Sequence, residues 1–248
     1  MEKSYKNIAY FFLLIFLIVF IGFFKSYFGL LPNSKDIDAT MHFHVIVLTL
    51  WFGLLIIQPI LIHKKQFYPH RLIGKSSYVL VPVIIYSMLL ITKHMYIREG
   101  TTTMTEKERL ADLFLPLSQM IAFTVFYILA MTNKRKTPLH LRYIIACSLV
   151  LLAPGLERIP IYWFGQQEEQ STLFAFVVTD LILVGLMIYD RKNSKKYNAY
   201  IISLGVLVFA HITYLFVPMT NFWQVVGQKI VFNWHKELLQ REKGSRQH

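Results

Sequence analysis

The sequence predicts an all-α membrane protein, a single bundle of about seven transmembrane helices with its N-terminus in the cytoplasm. Three observations predict it. The chain has 248 residues, 55% hydrophobic and only 16% charged, where soluble domains carry about 25% charged residues; its mean hydropathy is +0.45. The apolar residues fall in long uninterrupted runs rather than at core periodicity. A span needs about 20 mostly apolar residues to cross the hydrocarbon, and seven runs meet or approach that, with cores at about 8–24, 42–62, 76–92, 113–131, 143–156, 172–189 and 199–217. Finally, the charges alternate. Loops 63–75, 132–142 and 190–197 hold twelve Lys or Arg and one acid, whereas loops 25–41, 93–112 and 157–171 hold seven bases and nine acids. Basic residues in short loops mark the cytoplasmic side, so the basic loops face inward. The net charge of +12 is therefore topogenic, aided by anionic headgroups, and does not indicate nucleic acid. The multi-pass pattern points to a bacterial cytoplasmic (inner) membrane, with lipids as neighbours and a homo-oligomer or another membrane subunit as the expected partner.

The first span follows Lys3 and Lys6. It is longer than a typical signal h-region and no small-x-small site follows, so it reads as a retained helix. It is expected to run past Lys25, whose long stem can snorkel, and to exit at Pro32. The second span begins at Met41-His42-Phe43-His44 and leaves at His63. Between the third and fourth spans, Thr101–Thr103 and the Glu106–Arg109 charge cluster form the longest connection, with room for a short surface helix. The fifth span reads as short, broken at Ala153-Pro154-Gly155. The sixth and seventh are plain spans joined by a basic turn. Residues 218–248 carry Trp223 and Trp234 around an apolar patch too short to span and read as an interfacial tail. The single Cys147 lies within a span, so there is neither a disulfide framework nor a Cys-based metal motif.

The seven apolar cores contain no Lys or Arg, and their only acid is Asp180. A charge at that depth costs about 2.5–3.5 kcal/mol on insertion scales, so it needs a partner or water. Helical rise places Asp180 about 12 Å and His211 about 9 Å below the outer surface. Ser118 and Gln119 sit in the same outer half, with His42, His44, His94, Glu157 and Arg158 at its border. His44, Trp51 and Gln58 are spaced by sevens and share one helix face.

Four readings fit this layer. The polar groups can be helix glue, worth about 0.6 kcal/mol each on average. They can form a metal site, with His42, His44, Asp180 and His211 as ligands to a Zn or Fe ion. Glu157 and Asp180 then serve an activated water that acts on a lipid, Arg158 clamps an anion, and Trp51, Gln58 and Gln119 line the substrate site. They can hold haem b between His44 and His211 in an electron carrier. Or Asp180 and His211 can be the proton site of a transporter. A second set, His63, His70, Arg71, His140, Arg142 and Asp190, lies at the inner loop borders, where water and headgroups are expected to satisfy it.

The string His42-x-His44, Trp51, Gln58-Pro59, His70-Arg71-Leu72-Ile73-Gly74-Lys75, His140-Leu141-Arg142, Pro154-x-x-Glu157-Arg158 and Asp180 resembles an uncharacterised family of bacterial seven-helix predicted membrane proteins. The resemblance covers the second to seventh spans. It implies a seven-helix fold and a role for the inner His70, Arg71, His140 and Arg142, with Arg71 and Arg142 as headgroup-phosphate ligands or interfacial anchors. It implies no reaction.

Overall fold

The computed structural model describes residues 2–31, 37–99, 104–193 and 198–245, with side chains for 5–31, 37–98, 104–193, 198–232 and 234. Pro32, Lys35, Thr101–Thr103, Lys195 and Lys196 lie outside the described residues. All regular structure among those described is helical: α1 Glu2–Phe24, α2 Ala39–His63, α3 Phe67–Lys75, α4 Ser77–Glu99, α5 Glu106–Asp112, α6 Phe114–Thr132, α7 Thr137–Phe164, α8 Glu168–Lys192, α9 Asn198–Phe216 and α10 Asn221–Ser245. Seven spans are long and apolar enough to cross a membrane, falling in α1, α2, α3–α4, α5–α6, α7, α8 and α9. They alternate in direction between an N-terminal face and a far face. Large apolar side chains such as Leu14, Leu50, Ile121, Leu181 and Phe209 point outward, as a lipid-facing surface requires.

The helix predicted to be shortest is the longest and most central. α7 runs unbroken for 28 residues through Pro154, Gly155 and Pro160, and 72% of its apolar window is buried, against 22–33% in the other spans. Proline removes one backbone hydrogen bond, a loss that neighbouring helices make tolerable inside a bundle. Here α1, α6, α8 and α9 pack around α7. At the crossing with α1 the backbones almost touch: a Cβ placed on Gly22 would lie 2.1 Å from the Gly155 carbonyl oxygen. α7 stops at Gly165, whose φ of 69° is the left-handed cap conformation that glycine adopts without strain.

α1 ends at Phe24 and does not continue past Lys25; a short 3-10 turn at Phe28–Leu30 follows. Lys25 Nζ donates to the Tyr162 carbonyl at 3.0 Å and sits over the Trp163 ring, which ties the α1 exit to the end of α7. The surface helix expected in loop 93–112 is α5, started by a capping box in which Thr105 Oγ1 accepts from the Glu108 N–H and Glu108 Oε2 from the Thr105 N–H. The tail is helical as α10 and is pinned to α5, with Trp223 Nε1 donating to the Leu110 carbonyl at 2.7 Å.

Two elements near the N-terminal face depart from expectation. Segment 63–75 is no simple loop. After the left-handed Lys65 (φ 60°) it forms α3, whose Phe67, Tyr68 and Leu72 are exposed, whose His70 and Gly74 are half-buried against the bundle, and whose exposed Arg71 and Lys75 border a cavity. Arg142 and Asp190 are not solvated at a loop border. Both are buried, with Arg142 Nε donating to Asp190 Oδ2 at 2.6 Å, Nη1 to the Pro138 carbonyl, and the guanidinium over Tyr200. The pair ties α7, α8 and α9 together.

Candidate functional site

The far-face histidines expected to converge are instead distributed among separate partners. His44 Nδ1 lies 3.1 Å from Ser87 Oγ, and that hydroxyl gives its hydrogen to the Ile84 carbonyl, so His44 is the donor. His42 Nδ1 meets the Tyr27 hydroxyl at 2.6 Å. His94 Nδ1 meets Asp38 Oδ2 at 2.8 Å. Only Asp180 and His211 come together, His211 Nδ1 lying 3.0 Å from Asp180 Oδ2 with Phe176 stacked on the imidazole. Because α8 begins at Glu168, Asp180 falls at the middle of its helix, deeper than the apolar core alone indicated. Its other oxygen, Oδ1, is buried without a partner among the described residues.

α2 packs on α1, α3 and α4, whereas α9 packs on α6, α7 and α8, which separates His44 from His211. Among the described residues no three His, Cys, Asp or Glu side chains stand close enough to hold a metal ion, so the set His42, His44, Asp180 and His211 does not assemble. Ser118, Gln119, Thr179 and His211 border a void of about 20 Å³, large enough for about one water and far too small for a porphyrin. Glu157 is a partner of the Thr172 hydroxyl, on the α7–α8 contact. Arg158 lies over the Phe23 ring, 4.3 Å from its centroid, and donates to the Pro154 carbonyl. Neither Glu157 nor Arg158 joins Asp180 and His211 in one centre.

A larger cavity opens elsewhere, toward the N-terminal face. It measures about 400 Å³ and is bordered by α1, α2, α3, α4, α6 and α7, within the 300–1,000 Å³ range of ligand sites. From Trp51 to Ile62 it follows twelve residues of α2, about 16 Å of helix axis. Its deep end is apolar, built from Phe12, Trp51, Leu54 and Leu55. Its mouth carries His70, Arg71, Lys75, Lys134 and His140, and no Asp or Glu is among the described residues that line it.

Sequence-distant side chains hold this mouth in shape. With its amide oriented to satisfy both ends, Gln58 accepts from the Gly74 N–H at 3.1 Å and donates to the His70 carbonyl at 3.1 Å and to His70 Nδ1. Gln58 thus fastens α3 to α2 and sets the orientation of the His70 ring. Tyr127 meets Ser77 Oγ at 3.0 Å, and Ser77 gives its own hydrogen to the Gly74 carbonyl. Lys134 Nζ donates to the Tyr78 hydroxyl at 3.0 Å, and His140 Nδ1 to the Ala130 carbonyl at 2.9 Å. Trp51 and Gln58, expected to serve an outer site with His44, line this cavity instead.

The sequence carried a partial signal for this mouth: His70 and Gly74 stand at i,i+4 on the helix face opposite Tyr68 and Leu72, whereas Arg71 and Lys75 fall beside Tyr68 at i+3 and i+7. What no spacing revealed is that α3 packs on α2 and α4 and closes one side of a cavity shared with α6 and α7. No family model, curated protein or solved structure matches the chain.

Proposed function

We propose that this integral membrane protein binds an anionic, lipid-like ligand in the cavity at its N-terminal face, and that this face is cytoplasmic. One observation carries the reading: five basic or imidazole side chains ring the mouth of a long cavity whose deep end is apolar and whose described lining contains no acid. Carboxylates and phosphates pair with Arg in two-point geometry and with Lys as a point charge, while an acyl chain matches the wall of Phe12, Trp51 and Leu55. The cationic residues flanking the mouth, Lys64, Arg135 and Lys136 among them, support a cytoplasmic orientation in a bacterial inner membrane.

The test is lipid analysis of the detergent-purified protein, wild type beside Arg71→Ala/Lys134→Ala. The wild type is expected to retain an anionic lipid that the double variant loses while melting at a similar temperature. Equal lipid content in the two proteins would refute the site.

A second reading, proton transfer by Asp180 and His211, is favoured by the position of Asp180 at mid-helix and by its unpartnered Oδ1. In that case vesicles containing the wild type dissipate a pH gradient and those containing Asp180→Asn do not. Equal rates would remove it.

A further inference from the structure

The hydrogen bonds that hold the two cavity histidines also decide which ring nitrogen of each carries the proton. His140 Nδ1 lies 2.9 Å from the Ala130 carbonyl. A carbonyl only accepts, so Nδ1 is the protonated nitrogen and the neutral ring keeps a lone pair on Nε2. His70 is the reverse. The Gln58 carboxamide oxygen takes the Gly74 N–H, so its NH₂ group faces His70 Nδ1. Nδ1 accepts, and the neutral ring carries its hydrogen on Nε2. The mouth therefore holds one imidazole that gives a hydrogen and one that takes one. Arg71, Lys75 and Lys134 can only donate, and the Tyr127 hydroxyl is already engaged with Ser77.

An anion with acceptor oxygens alone satisfies all of these groups except His140, whose lone pair it would oppose with another. We propose that the head of the ligand is a phosphomonoester, bound so that one proton is shared between a phosphate oxygen and His140 Nε2. The remaining oxygens take the His70 Nε2–H and the Arg71 guanidinium. The proposal rests on the cavity reading above and adds the headgroup class to it. A phosphomonoester loses its second proton only near pH 6, so close to neutrality its monoanion still carries a hydrogen for that bond. A phosphodiester has no such hydrogen, and a carboxyl group, ionising near pH 4, has already lost it. Protonating His140 to meet a diester would add a cation beside Arg71, Lys75 and Lys134, and the single charge of a diester offsets it less well than a monoester does.

The experiment is native mass spectrometry of the full detergent-purified chain titrated with dioctanoyl phosphatidate, dioctanoyl phosphatidylglycerol, glycerol 3-phosphate and inorganic phosphate. The wild type is expected to bind phosphatidate at least tenfold more tightly than phosphatidylglycerol. His140→Ala is expected to bind both at the phosphatidylglycerol level. His140→Asn keeps a donor for the Ala130 carbonyl while deleting the ε nitrogen, so it reports the same loss if the alanine variant fails to fold. Glycerol 3-phosphate binding as tightly as phosphatidate would support the phosphomonoester head and place it on a soluble ligand. Equal affinity for the two lipids in the wild type, or a preference that survives in either His140 variant, would overturn the headgroup assignment and leave the cavity reading standing. Binding of none of the four probes would overturn the cavity reading itself.

Discussion

Replacing Gly22 with alanine tests the packing of the whole bundle, because it acts where the backbones of α1 and α7 almost touch. The added Cβ would fall 2.1 Å from the Gly155 carbonyl oxygen and 2.8 Å from both Gly155 Cα and C. Carbon and carbonyl oxygen approach to about 3.3 Å at best, so the contact is short by about 1.2 Å. All three obstructing atoms are backbone, so no rotamer change can relieve them, and α1 must move away from α7. A radial gap of about 0.5–1 Å already forfeits a quarter to a half of a dispersion contact, and this loss extends along the whole α1–α7 interface. Overpacking costs about 1–3 kcal/mol, and the rigidity of both partners puts Gly22→Ala at the upper end, about 3 kcal/mol. At about 2–4 °C per kcal/mol for a chain of this size, its melting point should fall by about 6–12 °C in a tryptophan-fluorescence melt in detergent. Gly185→Ala and Gly205→Ala are the controls. Nothing lies within 4 Å of a Cβ at either position, and alanine is favoured over glycine in a helix by about 1 kcal/mol, so both should melt at or above the wild-type temperature. A Gly22→Ala protein melting with the wild type would refute the close crossing and the central place of α7.

Three further outcomes follow from the same geometry. Arg142→Met alone should cost about 3–5 kcal/mol because it strands the buried Asp190 carboxylate, whereas Arg142→Met/Asp190→Leu should recover most of that stability; a double variant as unstable as the single one would show that the pair is not acting as a unit. Purified protein should contain no stoichiometric zinc or iron and show no Soret band, since His42, His44 and His211 stand with different partners; elemental analysis and an absorption spectrum check this, and a stoichiometric metal lost in His211→Ala would refute it. Gln58→Leu should destabilise the protein by about 1 kcal/mol, since it removes the hydrogen bonds that fasten α3 to α2, and should weaken lipid retention more than Gln119→Leu, a residue that borders the small void.

The amino-acid sequence by itself determined that the chain is a seven-span helical membrane protein, because span length, lipid-facing hydrophobicity and the alternation of Lys and Arg between loops act locally along the chain. Six of the seven predicted cores lie within the candidate spans, and the seventh, 199–217, overruns its span by one residue. It also placed Asp180 and His211 at similar depth in adjacent helices, and the structure makes them partners. Tertiary structure alone decided the rest. Pro154 and Gly155 read as a break, but four surrounding helices keep α7 continuous, and the glycine serves a backbone contact with Gly22 that lies 133 positions away and leaves no local pattern. Depth along a helix axis says nothing of azimuth, so His44 and His211 occupied one layer in the sequence yet belong to opposite packing neighbourhoods. Arg142 and Asp190 lay at a predicted water border, and only the packing of α7, α8 and α9 buries them together. The basic mouth was discounted for the same reason: Arg71 or His140 in isolation is a solvated interfacial residue, and the two become a site only when Gln58 and Tyr127 fold α3 and α4 over the end of α2 to enclose a cavity.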